Sequence, residues 1–123
     1  MLELLSPAGS MEALRAAVQN GANAVYLGVG NLNARQSAKN FTPQTLVDAV
    51  KYCHVRGVDV HLTLNTLVSD REMKEAAELI RHAAQYNIDA FIVQDLGVVQ
   101  LCRQIAPHIP IHGSTQMTIH SLP

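Results

Sequence analysis

The sequence predicts an α/β fold whose parallel strands form the N-terminal half of a (β/α)8 barrel of the TIM type. Strand-like and helix-like segments alternate along the 123 residues, and parallel strands need helical crossovers of this kind. Several predicted strands carry apolar side chains on one face and polar side chains on the other. The dinucleotide-binding fingerprint GxGxxG is missing after the first strand, and residues 28–30 resemble only its opening. Residues 1–123 are therefore predicted to be one partial barrel domain.

The first part of the chain predicts two strands, one helix and a long loop. Residues 2–6 are a short apolar run that ends at the turn signal of residues 7–9. Ser10 is expected to cap a helix over residues 11–20, and Gly21 is expected to end it. Residues 24–29 form the second strand. The polar stretch 30–41 is long for a connection and is predicted to be a functional loop.

The second part of the chain predicts three helices and three strands. Thr42 and Pro43 form a helix start of the preferred type, and Gly57 ends that helix before a strand over residues 58–64. Asp70 is expected to cap a third helix and Asn87 to end it. A strand over residues 90–94, a helix over 97–105 and a strand over 109–114 complete the order.

The polar faces of the strands favour a barrel over an open sheet. An open sheet of this class is covered by helices on both sides, and its strands are apolar throughout. In the third strand, for example, His61 and Thr63 alternate with aliphatic residues. The helices would cover the aliphatic face, so the polar face would line the barrel interior. The side chains predicted there are those of Glu3, Tyr26, His61, Thr63, Asn65, His112, Ser114 and Gln116. They form either a structural hydrogen-bond network or a ligand-facing surface.

A complete barrel of this type has eight βα units and about 250 residues, whereas about four and a half units are present. The domain is therefore predicted to be truncated, with unpaired edge strands and an open interior. Such surfaces favour self-association, as a dimer or as swapped half-barrels.

Composition excludes several classes of protein. A hydrophobic share of 48% excludes a disordered tail, and no apolar run is long enough to span a membrane. A net charge of -1 gives no global electrostatic case for nucleic-acid binding and leaves a local basic patch as the alternative. Cys53 and Cys102 are too far apart for a CxxC motif, so they are expected to be buried thiols in a reduced, cytoplasmic setting.

The candidate substrate-binding residues are Ser6, Tyr26, Arg35, Asn65, Asp95 and Gln116. Arg35 offers a planar fork for a carboxylate or phosphate, or else pairs with Glu3 or Asp95. Asp95 is expected either to orient Arg35, to act as a base or to cap the next helix. Ser6 and Ser114 are conceivable nucleophiles only beside a base such as His61 or His112. No local signature identifies a catalytic residue, and the spacing of His108, His112 and His120 predicts no metal site.

Six segments occur in an order that resembles the N-terminal barrel region of the peptidase U-32 family, the collagenase-like proteins. They are ELLSPAG (3–9), NGANAVYLG (20–28), NAR (33–35), LTLNT (62–66), DAFIVQD (89–95) and STQ (114–116). The resemblance covers nearly the whole chain. The VQDxG and STQ segments look closest to the branch that hydroxylates a ribosomal RNA base. Other branches modify transfer RNA or assist ubiquinone hydroxylation through iron–sulfur clusters.

The resemblance implies that the longer parent protein hydroxylates an RNA base. The alternatives are a collagenase-like peptidase and an inactive fragment that acts only in self-association. The family's cysteine signature has no counterpart before Pro123. No cofactor is therefore expected in this fragment; the resemblance leaves the full-length parent open to an iron–sulfur cluster and assigns the RNA or peptide substrate to that parent.

Overall fold

The computed structural model describes residues 4–29, 41–64 and 69–113. Strands and helices alternate throughout, which confirms the predicted α/β fold. In chain order the elements are β1 (Leu5–Pro7), α1 (Met11–Gln19), β2 (Ala24–Leu27), α2 (Pro43–Val55), β3 (Asp59–Leu64), α3 (Asp70–Gln85), β4 (Ala90–Val93), α4 (Leu96–Ile105) and β5 (Ile111–Gly113).

The five strands form one parallel sheet whose spatial order is the same as their order in the sequence. Because parallel crossovers are right-handed, an order without reversal places every helix on the same side of the sheet. Consecutive helices accordingly pack against one another, α1 with α2, α2 with α3 and α3 with α4. The sheet is thus wound in one direction with one face covered, as in one half of a (β/α)8 barrel.

The core lies between the sheet and its helices. The strands contribute the alternate residues whose side chains point to the helices, and each is at most 2% exposed: Val25, Leu27, Val60, Leu62, Phe91 and Val93. Leu46 of α2 and Ile80 of α3 pack against this layer and are equally inaccessible. Burial of one complete aliphatic face is the main force that holds the sheet against the helices.

Local signals at the helix ends behave as the sequence predicts. The Ser10 hydroxyl accepts a hydrogen bond from the Ala13 N–H, and Thr42 forms a reciprocal capping box with Thr45. Gly21 and Gly57 follow the ends of α1 and α2 with φ of 93° and 73°, which only glycine adopts without strain. Asn87 has φ of 70° after α3, a conformation that asparagine tolerates better than most residues.

Several predicted boundaries are wrong. Ser69 rather than Asp70 caps α3, because its extended backbone lets its hydroxyl accept from the Glu72 N–H. The helix after β4 begins at Leu96 with Asp95 as its cap. The first strand covers Leu5–Pro7, in register with the start of β2, so it ends one residue later than predicted, and residues 2–3 lie outside the described range. Residues 109–110 precede β5, which covers only Ile111–Gly113.

The predicted loop over residues 30–41 falls almost entirely outside the described residues, although Phe41 forms a bridge with Val29. Within the described ranges, no helix has the length and apolar character needed to cross a membrane.

Candidate functional site

The face of the sheet opposite the helices forms a cavity of about 690 Å³. All five strands contribute side chains to it. The polar residues that line it are Tyr26, Asp59, His61, Thr63, Asp89 and His112. Apolar contacts come from Leu5, Ala90, Ile92 and Pro110. The cavity is therefore more polar than the interior of most (β/α)8 barrels, because branched aliphatic residues usually fill that interior.

Two imidazole rings stack in the middle of this cavity. The ring centroids of His61 and His112 lie 5.4 Å apart with an angle of 16° between the ring planes. His61 is in register with Ala90, and Ile92 is in register with His112, so β4 separates the two histidines. The methyl side chain of Ala90 leaves room for the rings to meet across that strand. His112 is exposed and His61 half-buried, so the pair presents a flat, polar surface to the cavity.

Thr63 lies one pleat further along β3 on the same face. Its hydroxyl donates a hydrogen bond of 3.2 Å to the carbonyl oxygen of Leu27. A Cβ atom at Gly28 would lie 3.1 Å from the Thr63 oxygen. The glycine therefore lets the threonine hydroxyl approach β2 closely enough to join the two strands at this end of the cavity.

Asp89 lies at the amino end of β4 and was not among the residues singled out from the sequence. Its Oδ2 atom accepts a hydrogen bond from the Val60 N–H at 2.7 Å and contacts the Nε2 atom of His54 at 2.7 Å. The Asp89 N–H in turn donates to the Val60 carbonyl oxygen. An acidic residue directly before a buried strand was the available signal, but the sequence does not show that Val60 lies beside it.

The structure places the predicted site residues in different surroundings. Tyr26, His61, Thr63 and His112 share the concave cavity. Ser6 is in register with Val25, a fully buried residue of the helix-covered face, so it lies on the opposite side of the sheet. The other predicted residues lie outside the described ranges: Glu3, Arg35, Asn65, Ser114 and Gln116.

Asp95 caps α4, which was one of its three predicted roles. Its Oδ1 atom accepts hydrogen bonds from the Gly97 and Val98 N–H groups. A carboxylate at this position also interacts favourably with the helix dipole. The capping bonds account for one of its two oxygen atoms.

Both cysteines are fully buried beneath the helices, as the sequence predicts. Burial raises the pKa of Cys53 to about 11, with a lowering contribution from Arg56 and a raising one from Asp89. Burial alone raises the pKa of Cys102 to about 11. Neither thiol is a thiolate near neutral pH. Among the described residues, no three histidine, cysteine or acidic side chains are grouped to hold a metal ion.

Comparison with known proteins shows several relatives that align with almost the whole chain, including the following three. A tRNA hydroxylation protein P from Helicobacter pylori is 42% identical over 98% of this chain and 29% of its own length. A 23S rRNA 5-hydroxycytidine synthase from Escherichia coli is 39% identical over 98% of this chain and 18% of its own. A collagenase from Porphyromonas gingivalis is 36% identical over 95% of this chain and 28% of its own. The chain therefore spans less than a third of the length of each.

A solved structure of a U32 peptidase superimposes on 95% of this chain and 50% of that chain, with a TM-score of 0.69 and 14% identity. At this identity the likeness shows the fold, and its coverage agrees with the predicted half-barrel. The sequence model of Peptidase family U32 matches residues 9–123. The resemblance seen in the sequence motifs is thereby confirmed, and this chain belongs to peptidase family U32.

Proposed function

We propose that this chain is the N-terminal half-barrel of a protein that takes part in hydroxylating a base of tRNA or rRNA. The observation that carries the proposal is the pair of relatives named for RNA hydroxylation, which match 98% of the chain at 42% and 39% identity. These nearly equal identities support RNA as the substrate class without separating tRNA from rRNA. Because the proposed substrate is RNA, the proposal also places the protein in the cytoplasm.

The described residues of the cavity give no positive support for peptidase activity, and Ser114, one of the two predicted nucleophiles, lies outside them. A peptidase needs an activated nucleophile or a metal-bound water. Within the described ranges, the residues lining the cavity include no serine or cysteine beside His61 or His112. Ser6 lies on the opposite side of the sheet, and both cysteines are buried and protonated near neutral pH. The second candidate function, a collagenase-like peptidase, is favoured by the name of the Porphyromonas gingivalis relative.

The cysteines of this chain do not fit an iron–sulfur cluster. Cluster ligands are thiolates that converge on one centre. Cys53 lies in α2 and Cys102 in α4, and burial favours the protonated form of each. We therefore infer that any cluster of the full-length protein is held by residues outside the described part of this chain.

The proposal is tested by complementation with the full-length protein. It is expressed in an Escherichia coli strain lacking the 23S rRNA synthase and in a Helicobacter pylori strain lacking its tRNA hydroxylation protein. Nucleosides from digested rRNA and tRNA are then measured by mass spectrometry. We expect a nucleoside one oxygen atom heavier to reappear in at least one RNA. If both strains lack it while the purified protein cleaves collagen, the peptidase function replaces the proposed one.

A further inference from the structure

We propose that the stacked imidazoles of His61 and His112, with the hydroxyl groups of Thr63 and Tyr26, bind a single RNA base that has been turned out of its stack. The inference rests on the proposed function for the class of ligand. The structure contributes the place, the flat surface and the polar groups that would receive the base.

The composition of the concave face points to binding rather than to packing. Barrel interiors are normally filled by valine, isoleucine and leucine in successive layers. Here the register positions that point into the cavity carry a tyrosine, two histidines, a threonine and an aspartate, and the large aliphatic residues among them are Leu5 and Ile92. Polar side chains on this partly open face can exchange water for the polar groups of a ligand.

The imidazole pair suits a planar ring. His61 and His112 already stack with an angle of 16° between their planes, and the exposed ring of His112 can extend that stack by one more ring. Stacking on an aromatic side chain is a common way to hold an unpaired base, because every base has a flat π surface. Ring nitrogens and the nearby hydroxyls of Thr63 and Tyr26 can meet the polar edge of the base.

The charges of the cavity favour a neutral base over a phosphate. The exposed carboxyl group of Asp59 lies at the amino end of β3 and would repel a phosphate at that end of the cavity. A base could then enter past Thr63 and His112, near the carboxyl ends of the strands, with its phosphates held outside. The cavity of about 690 Å³ falls in the size range of small-molecule sites.

The test follows the histidine ring signals of the full-length protein by NMR, with isotopically labelled histidine. Cytidine and uridine are added up to roughly 10 mM, which detects even weak binding. We expect at least one nucleoside to shift the signals of both His61 and His112. Ribose 5-phosphate, which lacks a base, should leave them unchanged. The exposed His108, which lies before β5 and outside the cavity, is the internal control.

Variants of His112 distinguish a loss of stacking on the base from a loss of folding. His112→Ala should weaken nucleoside binding about tenfold to a hundredfold, the loss expected when one stacked ring is removed. His112→Phe keeps a flat ring and should stay within about fivefold of the wild type, and His108→Ala should have no effect. Each variant is first checked for an unchanged unfolding midpoint. Absence of any nucleoside-dependent shift in the wild type, or equal losses in the alanine and phenylalanine variants, overturns the inference.

Complementation distinguishes this failure from failure of the proposed function. If the wild-type protein restores the hydroxylated nucleoside and the double variant His61→Ala/His112→Ala restores it fully, the base lies elsewhere and only the inference fails. If the wild type restores none, the proposed function fails, whatever the nucleosides do in the NMR experiment.

Discussion

Replacing Asp89 by alanine should destabilise the fold more than the exposure of this residue suggests. Its carboxylate accepts the Val60 N–H at 2.7 Å, and Val60 is fully buried. Leaving a buried N–H without an acceptor costs about 1–3 kcal/mol. The contact with His54 adds about 0–1 kcal/mol, because both side chains are roughly one-third exposed (34% and 28%). We expect a total loss of about 2–3 kcal/mol in the free energy of unfolding.

Two further variants divide that loss between its causes. Asp89→Asn keeps an oxygen that can accept from Val60 and should cost about 1 kcal/mol. His54→Ala removes only the contact between the imidazole and the Asp89 carboxylate and should cost about 0.5 kcal/mol. Asp59→Ala, which removes an exposed carboxylate of the same cavity, is the matched control and should be nearly neutral.

Urea unfolding at neutral pH measures these differences. With a slope of about 1–2 kcal/mol per molar urea for a chain of this size, Asp89→Ala should lower the midpoint by roughly 1–2 M. The reasoning is refuted if His54→Ala costs as much as Asp89→Ala, because the ion pair rather than the Val60 hydrogen bond would then be the dominant contact.

Four other outcomes are expected. Burial raises the pKa of Cys53 and Cys102 to about 11, so neither thiol should react with iodoacetamide at pH 8.5 in the folded protein. Both thiols should react once the protein is unfolded in urea. Rapid alkylation of the folded protein would contradict the buried placement of the two cysteines. The same shifts predict that the free energy of unfolding falls as pH rises from about 9, the ordinary pKa of an exposed thiol, towards about 11, because the thiols of the unfolded chain lose their protons first. Gly28→Ala should lower the free energy of unfolding by about 1–2 kcal/mol, because the added methyl group crowds the Thr63 hydroxyl. Urea unfolding should show a smaller loss when the same substitution is made in a Thr63→Ala variant, which would confirm that contact. The 123-residue chain by itself should form dimers through its uncovered sheet face and edges, and a monodisperse monomer in light scattering would argue against this.

The signals that predicted the helix ends act over a few residues. Ser10 and Thr42 cap the helices that the sequence assigns to them, and Asn87 adopts the left-handed conformation expected of a terminator. The cap of α3 was misassigned because Ser69 and Asp70 are adjacent and both residue types cap well. Only the backbone conformation, extended at Ser69 and helical from Asp70, distinguishes them.

The candidate site was partly predictable for a similar reason. Alternation along β3 places His61 and Thr63 on the face opposite Leu62, and the structure agrees. The same alternation in β1 should have removed Ser6 from the candidates, since it shares the face of Val25. Asp89 was missed because its partner Val60 lies 29 positions away in the sequence.

The sequence by itself determined the order of strands and helices and which face of each strand is apolar, because hydrophobic periodicity and capping are properties of neighbouring residues. The tertiary structure decided which strands are adjacent and in what register. From that register come the stacking of His61 on His112 across Ala90 and the bond from Val60 to Asp89. Such contacts join distant parts of the chain, and a shift of one residue in strand pairing would turn each side chain to the other face of the sheet.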